Sequence, residues 1–206
     1  MTQPVPQPDT RTRILDAAAR LFHEQGFNAT GVSTILREAG VNPGSLYNLY
    51  PSKDALLAAV LERYTELLFP VVMAPVEAKT HDPIERVFAL LRQYRDWFSP
   101  LEFRLGCPIG NLALEVADSH PEIRPLIQIN FDGWVGFVKK WLDDAGDRLP
   151  KGLDRSQLAG TVLTVMEGGL MQARSSRSAA AYDASVAQLR AYFDLLLSQG
   201  SAKASA

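Results

Sequence analysis

Between Asn42 and Lys53 the chain gathers side chains able to hold another polar molecule: Ser45, Tyr47, Asn48, Tyr50 and Lys53, with Gly44 among them. An asparagine amide can bond an adenine edge through both of its polar atoms, while hydroxyls more often hold phosphate. Gly44 permits close approach of the backbone. Lys53 sets a cation beside the free N–H groups that open a helix, an arrangement suited to a phosphate. The other reactive group is the thiol of Cys107, the single cysteine, three residues after Arg104 and at the expected start of a helix. That setting favours a thiolate, which attacks quinones, aldehydes and other electrophiles. The alternative is a small buried thiol that acts as a hydrophobe.

These residues must be positioned by helices. Strand signals are nearly absent and helical spacing recurs from end to end, so the expected fold is all-α with about nine helices. A first helix carries Ile14, Ala18, Leu21 and Phe22 on one stripe and stops at Gly26. A second spans about 32–39 and is closed by Gly40. Asn42-Pro43 caps and opens a third, which Pro51 interrupts. Ser52 opens a fourth, expected to close at Pro70 and Pro75. Asp82-Pro83 opens a fifth that Pro100 ends, a short one runs from Cys107-Pro108 to about Val116, and His120-Pro121 opens a long one. Two more are expected at 155–173 and 180–197. Three short helices with a tight turn after the second make a helix-turn-helix, its small core being Ile35, Leu36, Val41 and Leu46. The expected organisation is an arm at 1–9, the helix-turn-helix at 10–55, a larger helical domain at 56–198 and a frayed tail at 199–206.

At these residues the sequence resembles the TetR family of repressors. The stretch from Ile14 to Val60 carries the family's glycine-aromatic pair after the first helix, its AGV-x-x-G-x-LY turn and recognition helix, and its K-x-x-L. The resemblance implies a homodimer on a palindromic double-stranded operator, with Thr30, Ser45, Tyr47, Asn48, Tyr50 and Lys53 at DNA-contacting or DNA-flanking positions. Arg11 is well placed to join them on phosphate. Departures at Leu36, at Asn42 and in the run from Tyr47 to Tyr50 mean that operator preference does not carry over. The resemblance also implies a ligand pocket and a dimer interface in the C-terminal half. Gly168 and Gly169 are expected to let helices approach at that interface, and Val186, Leu189, Phe193 and Leu196 to pack against the partner. Trp97, Phe103, Trp134, Asn111 and Met166 are expected to line the pocket with Cys107. A second, narrower resemblance covers Gly106 to Arg124. It is to a branch carrying GC-x-x-GNL, some members of which sense electrophiles through a cysteine, so the expected inducer is an apolar small molecule or an electrophile.

The totals frame these readings. With 47% hydrophobic and 21% charged residues the chain is of ordinary globular composition, and its net charge of -2 gives no bulk reason to expect nucleic acid. A non-specific DNA-coating protein therefore lacks its basic surplus. A helical enzyme lacks a metal cluster, a phosphate loop and a nucleophile–base pair; Glu115 and Asp118 are expected to be a solvated face. No cofactor and no metal are expected. No apolar run approaches the ~18 residues of a membrane span, and Met1 to Pro8 has no leader character, so a cytoplasmic location is expected.

Overall fold

The computed structural model describes residues 9–204, with side chains as far as residue 200. Of the arm expected at 1–9, residues 1–8 lie outside the described residues, as do the last two residues, while Asp9 caps α1. The described residues form helices joined by turns, bends and short irregular links, with no strand among them. The helices are α1 (Thr10–Gln25), α2 (Val32–Ala39), α3 (Pro43–Leu49), α4 (Lys53–Leu67), α5 (Ala74–Lys79), α6 (Pro83–Phe98), α7 (Pro108–Val116), α8 (Arg124–Asp144), α9 (Arg155–Ser176) and α10 (Ala180–Ala204).

Several starts are dictated locally. Asp9, Asn42, Asp82 and Asp154 each accept backbone N–H groups of the helix that follows, and Pro43 and Pro83 occupy positions where a missing N–H costs nothing. Gly40 ends α2 in the left-handed conformation, with φ 62°.

Three boundaries differ from expectation. Pro70 does not close α4, because the chain widens into a π-helical turn over Leu68–Met73 and continues into α5. A proline removes one donor and crowds the preceding turn, and the wider turn absorbs both. The opened backbone is patched by buried Gln93, whose Nε2 donates to the Val72 carbonyl at 2.8 Å while its Oε1 accepts from Lys79 at 3.4 Å. The long helix after His120 starts at Arg124, residues 121–123 forming a turn. And α10 runs on to Ala204, through most of the segment expected to fray.

The chain divides into two compact units. Among the described residues, the first joins 9–64 with 111–127, and the second joins 65–110 with 128–204. The first unit centres on Ile14, Phe22, Ile35, Leu46, Leu56, Leu57 and Leu61, all essentially inaccessible. The second encloses a larger core with Phe88, Trp134, Trp141, Tyr182 and Phe193. In it the Trp141 indole donates to Glu77 at 2.8 Å, and Arg190 lies 3.4 Å over the Phe88 ring while paired with Glu85. Tyr182 approaches α9 at Gly169, where a β-carbon would lie 2.8 Å from the tyrosine ring, and donates to the Leu91 carbonyl.

Candidate nucleic-acid interface and ligand centre

In the first unit, α2 and α3 meet across the Gly40 turn, with Leu46 of α3 fully buried. The opposite face of α3 is open. Gly44, Tyr47 and Asn48 are exposed there, Tyr47 by 54%. Ser45 is half-buried, and the Asn42 carboxamide oxygen accepts both its N–H at 3.0 Å and its hydroxyl at 3.1 Å. A short helix with a fixed start and small or flat polar residues on its free side is the shape that enters a major groove. Arg11 is exposed at the start of α1, its guanidinium 5.3 Å from the Tyr50 ring centre.

Three other residues expected at the DNA surface are turned inward. Thr30 is fully buried and donates to the carbonyls of Gly26 at 2.6 Å and Leu21 at 3.3 Å, closing the end of α1. Tyr50 is 3% exposed, since the chain must fold back there to start α4. Its hydroxyl is buried with no hydrogen-bond partner among the described residues, and burial raises its pKa. Lys53 donates to the Phe27 carbonyl at 2.5 Å and lies 4.1 Å over the Phe27 ring; burial lowers its pKa. An unsatisfied buried hydroxyl costs about 1–3 kcal/mol, so Tyr50→Phe is expected to raise stability by about 1 kcal/mol. Denaturant melts would check this, and a loss of stability would mean that the hydroxyl has a partner after all.

The residue that sequence reasoning missed is Glu115. Instead of facing solvent, its carboxylate accepts the Phe27 N–H at 2.9 Å and the Asn28 N–H at 2.7 Å. No local pattern announces this, because the partners are backbone groups far away in sequence.

The second unit gathers Cys107, Phe103, Trp134 and Met166 into one buried cluster, as four of the six expected ligand residues. Trp97 is 40% exposed and meets Tyr94 edge-on, while Asn111 belongs to the first unit. The thiol does not have the setting expected for it. Arg104 is exposed and its guanidinium is paired with Glu102 at 2.7 Å. Cys107 is 8% exposed, and burial, then the neighbouring Glu167 carboxylate, push its pKa well up. The Gly110 N–H reaches the sulfur at 3.5 Å, a helix-start contact too weak to offset them. The thiol is held protonated.

Glu167 completes this centre. Its carboxyl packs against Gly110, where even a β-carbon would collide with it, and its Oε1 is buried without a partner among the described residues. Burial raises its pKa. Close by, the Trp134 indole donates to the Tyr94 hydroxyl at 3.1 Å. A carboxyl whose pKa is raised by folding holds more protons folded than unfolded, so stability falls as pH climbs from its ordinary 4.5 through the folded value. Glu167→Gln is therefore expected to flatten the decline of stability as pH rises above that ordinary value. Parallel pH curves for the two proteins would contradict that.

The comparisons with known proteins agree with this geometry. The profile of bacterial regulatory proteins of the tetR family matches residues 14–60, and that of the tetracyclin repressor-like C-terminal domain matches residues 83–189. The chain belongs to the TetR family. Among its relatives, the HTH-type transcriptional regulator LmrA of Bacillus subtilis is 31% identical over 82% of this chain and 89% of its own. The HTH-type transcriptional repressor NemR of Escherichia coli is 26% identical over 82% and 86%. The crystal structure of E. coli NemR in its reduced form superposes with a TM-score of 0.78 at 25% identity, covering 88% of this chain and 95% of that one. A TetR regulatory protein from Rhodobacter sphaeroides shares the fold, with a TM-score of 0.79 at 20% identity over 87% and 96%. This TetR-family chain is accordingly a DNA-binding transcriptional regulator. No helix among its described residues is long and apolar enough to cross a membrane.

Proposed function

We propose that the protein is a homodimeric, cytoplasmic repressor that holds a palindromic operator through two α3 helices and releases it when a small molecule occupies the second unit. The observation that carries this is the exposed Gly44–Tyr47–Asn48 face on a head whose core is otherwise closed. One head offers too few contacts for a specific site, and two heads ~34–36 Å apart reach successive turns of one duplex face. The dimer face is best supplied by Met171, Tyr192 and Leu195, which are 58%, 44% and 61% exposed, with Gly168 open beside them. Leu189, Phe193 and Leu196 are buried within the protomer, Val186 packs at the edge of the same core, and Gly169 is filled by Tyr182. For the ligand, an apolar molecule bearing one hydrogen-bond donor or cation suits the aromatic cluster and the unpartnered Glu167 oxygen.

A second reading makes Cys107 the trigger. Its support is the nearness of Glu167, together with the relative whose solved form is described as reduced. Because burial keeps the thiol protonated, its proton must pass to the Glu167 carboxylate as sulfur bonds to the β-carbon of an unsaturated carbonyl compound. The proton then returns to the α-carbon of the adduct.

The experiment is selection of duplexes from a random pool by the full-length protein, followed by titration of the selected duplex with wild type and Cys107→Ser, each with and without N-ethylmaleimide. A selected palindrome bound by two chains supports the repressor; recovery of no preferred sequence would overturn it. Release by the maleimide in wild type alone supports the cysteine trigger. Indifference in both proteins leaves the non-covalent ligand.

A further inference from the structure

We propose that Glu115 is a positioning residue for operator recognition: its carboxylate fixes the two successive peptides from which α2 and α3 hang. The Gly26–Phe27 peptide donates its N–H, that of Phe27, to Glu115 at 2.9 Å, and the carbonyl of the following Phe27–Asn28 peptide accepts from Lys53 at 2.5 Å. The second Glu115 oxygen takes the next N–H, of Asn28, at 2.7 Å. Gly26, at φ 88°, makes this approach possible, for a β-carbon there would sit 2.9 Å from the carboxylate. The Phe27 ring is buried edge-on to Phe22 and to His120, each at 5.2 Å, and His120 lies 3.6 Å from Asp54. Just beyond these peptides, Gly31 opens α2 and its carbonyl accepts the N–H of Thr34 at 3.0 Å. Gly40 then passes the orientation of α2 to α3.

A turn at which Asn28 is exposed does not need this carboxylate in order to fold, since water can satisfy an exposed N–H. What the carboxylate adds is direction. Two charge-assisted bonds from one rigid fork hold two successive peptide planes, where water would leave them free to rock. The fork stands on α7, the helix that begins beside Cys107 and Gly110 and whose residues from 111 onward belong to the first unit.

The test uses full-length Glu115→Gln with two labelled duplexes at one salt concentration: the duplex selected by wild type and a scrambled duplex of equal length. Amide exchange is followed at Phe27 and Asn28, and the melting temperature is recorded. Glutamine keeps the volume but offers one acceptor oxygen and a competing NH2. The expected result is at least a ~10-fold loss of affinity for the selected duplex, with little change on the scrambled one, faster exchange at both amides and a nearly unchanged melting temperature. Wild-type selectivity in the variant overturns the proposal. A loss on both duplexes in step with the folded fraction overturns it too, since that is what a purely structural residue produces. Should Glu115→Gln not fold, Glu115→Asp keeps the charge, shortens the reach and is read by the same two affinities.

Discussion

Replacing Asn48 by alanine is expected to cost roughly 2–6 kcal/mol of operator affinity, since one bidentate base contact is worth about 1–3 kcal/mol and a palindrome offers it twice. Asn48 is the exposed amide of α3, and the helix that carries it is fixed by the Asn42 cap and by buried Leu46. The loss should therefore be one of contact and not of fold. It should also be confined to the selected sequence, with the slope of log K against log salt unchanged, because no phosphate contact is removed. Arg11→Ala is the contrasting variant: it should weaken selected and scrambled duplexes alike and reduce the salt slope by about one per head. Equal losses on both duplexes for Asn48→Ala would remove it from base readout.

Phe193→Ala is expected to destabilise the protomer by about 3–5 kcal/mol, the range for truncating a large buried aromatic. Phe193 is fully buried, with its ring edge-on to Phe88 at 5.2 Å. Its unfolding free energy should fall by this amount, with a lower denaturation midpoint, whatever the degree of chain association. Leu195→Asp, on the 61% exposed side of the same helix, should do the opposite: it should dissociate the dimer while leaving each chain's helices folded. Analytical ultracentrifugation beside denaturant melts separates the two. A folded but monomeric Phe193→Ala would return that residue to the interface.

These two variants mark where sequence reading succeeds and where it stops. The exposure of Asn48 on α3 was legible because helix caps, the Gly40 turn and the burial of Leu46 are set by neighbours a few residues apart, and those neighbours fix which side of α3 is free. Phe193 was misplaced because a 3-4-3 stripe states that a helix face needs apolar company without saying whose. α6 and α9 of the same chain supply it. Pro70 is a related case: its removal of a donor is local, but the helix widens there instead of ending, and buried Gln93 reaches from α6 to the Val72 carbonyl within the widened turn.

The same division runs through the functional centre. The sequence by itself determined the all-helical chain, the helix-turn-helix with its exposed α3 residues, and the family, because capping, glycine turns and apolar periodicity act over a handful of residues. Only the tertiary structure decided that Thr30, Tyr50 and Lys53 turn inward, that Cys107 stays protonated beside Glu167, and that Glu115 leaves the solvent for the Phe27 and Asn28 amides. Burial and charge proximity are properties of what packs against a residue. For Glu115 and Glu167 the decisive partners lie more than fifty residues away, where no spacing rule reaches.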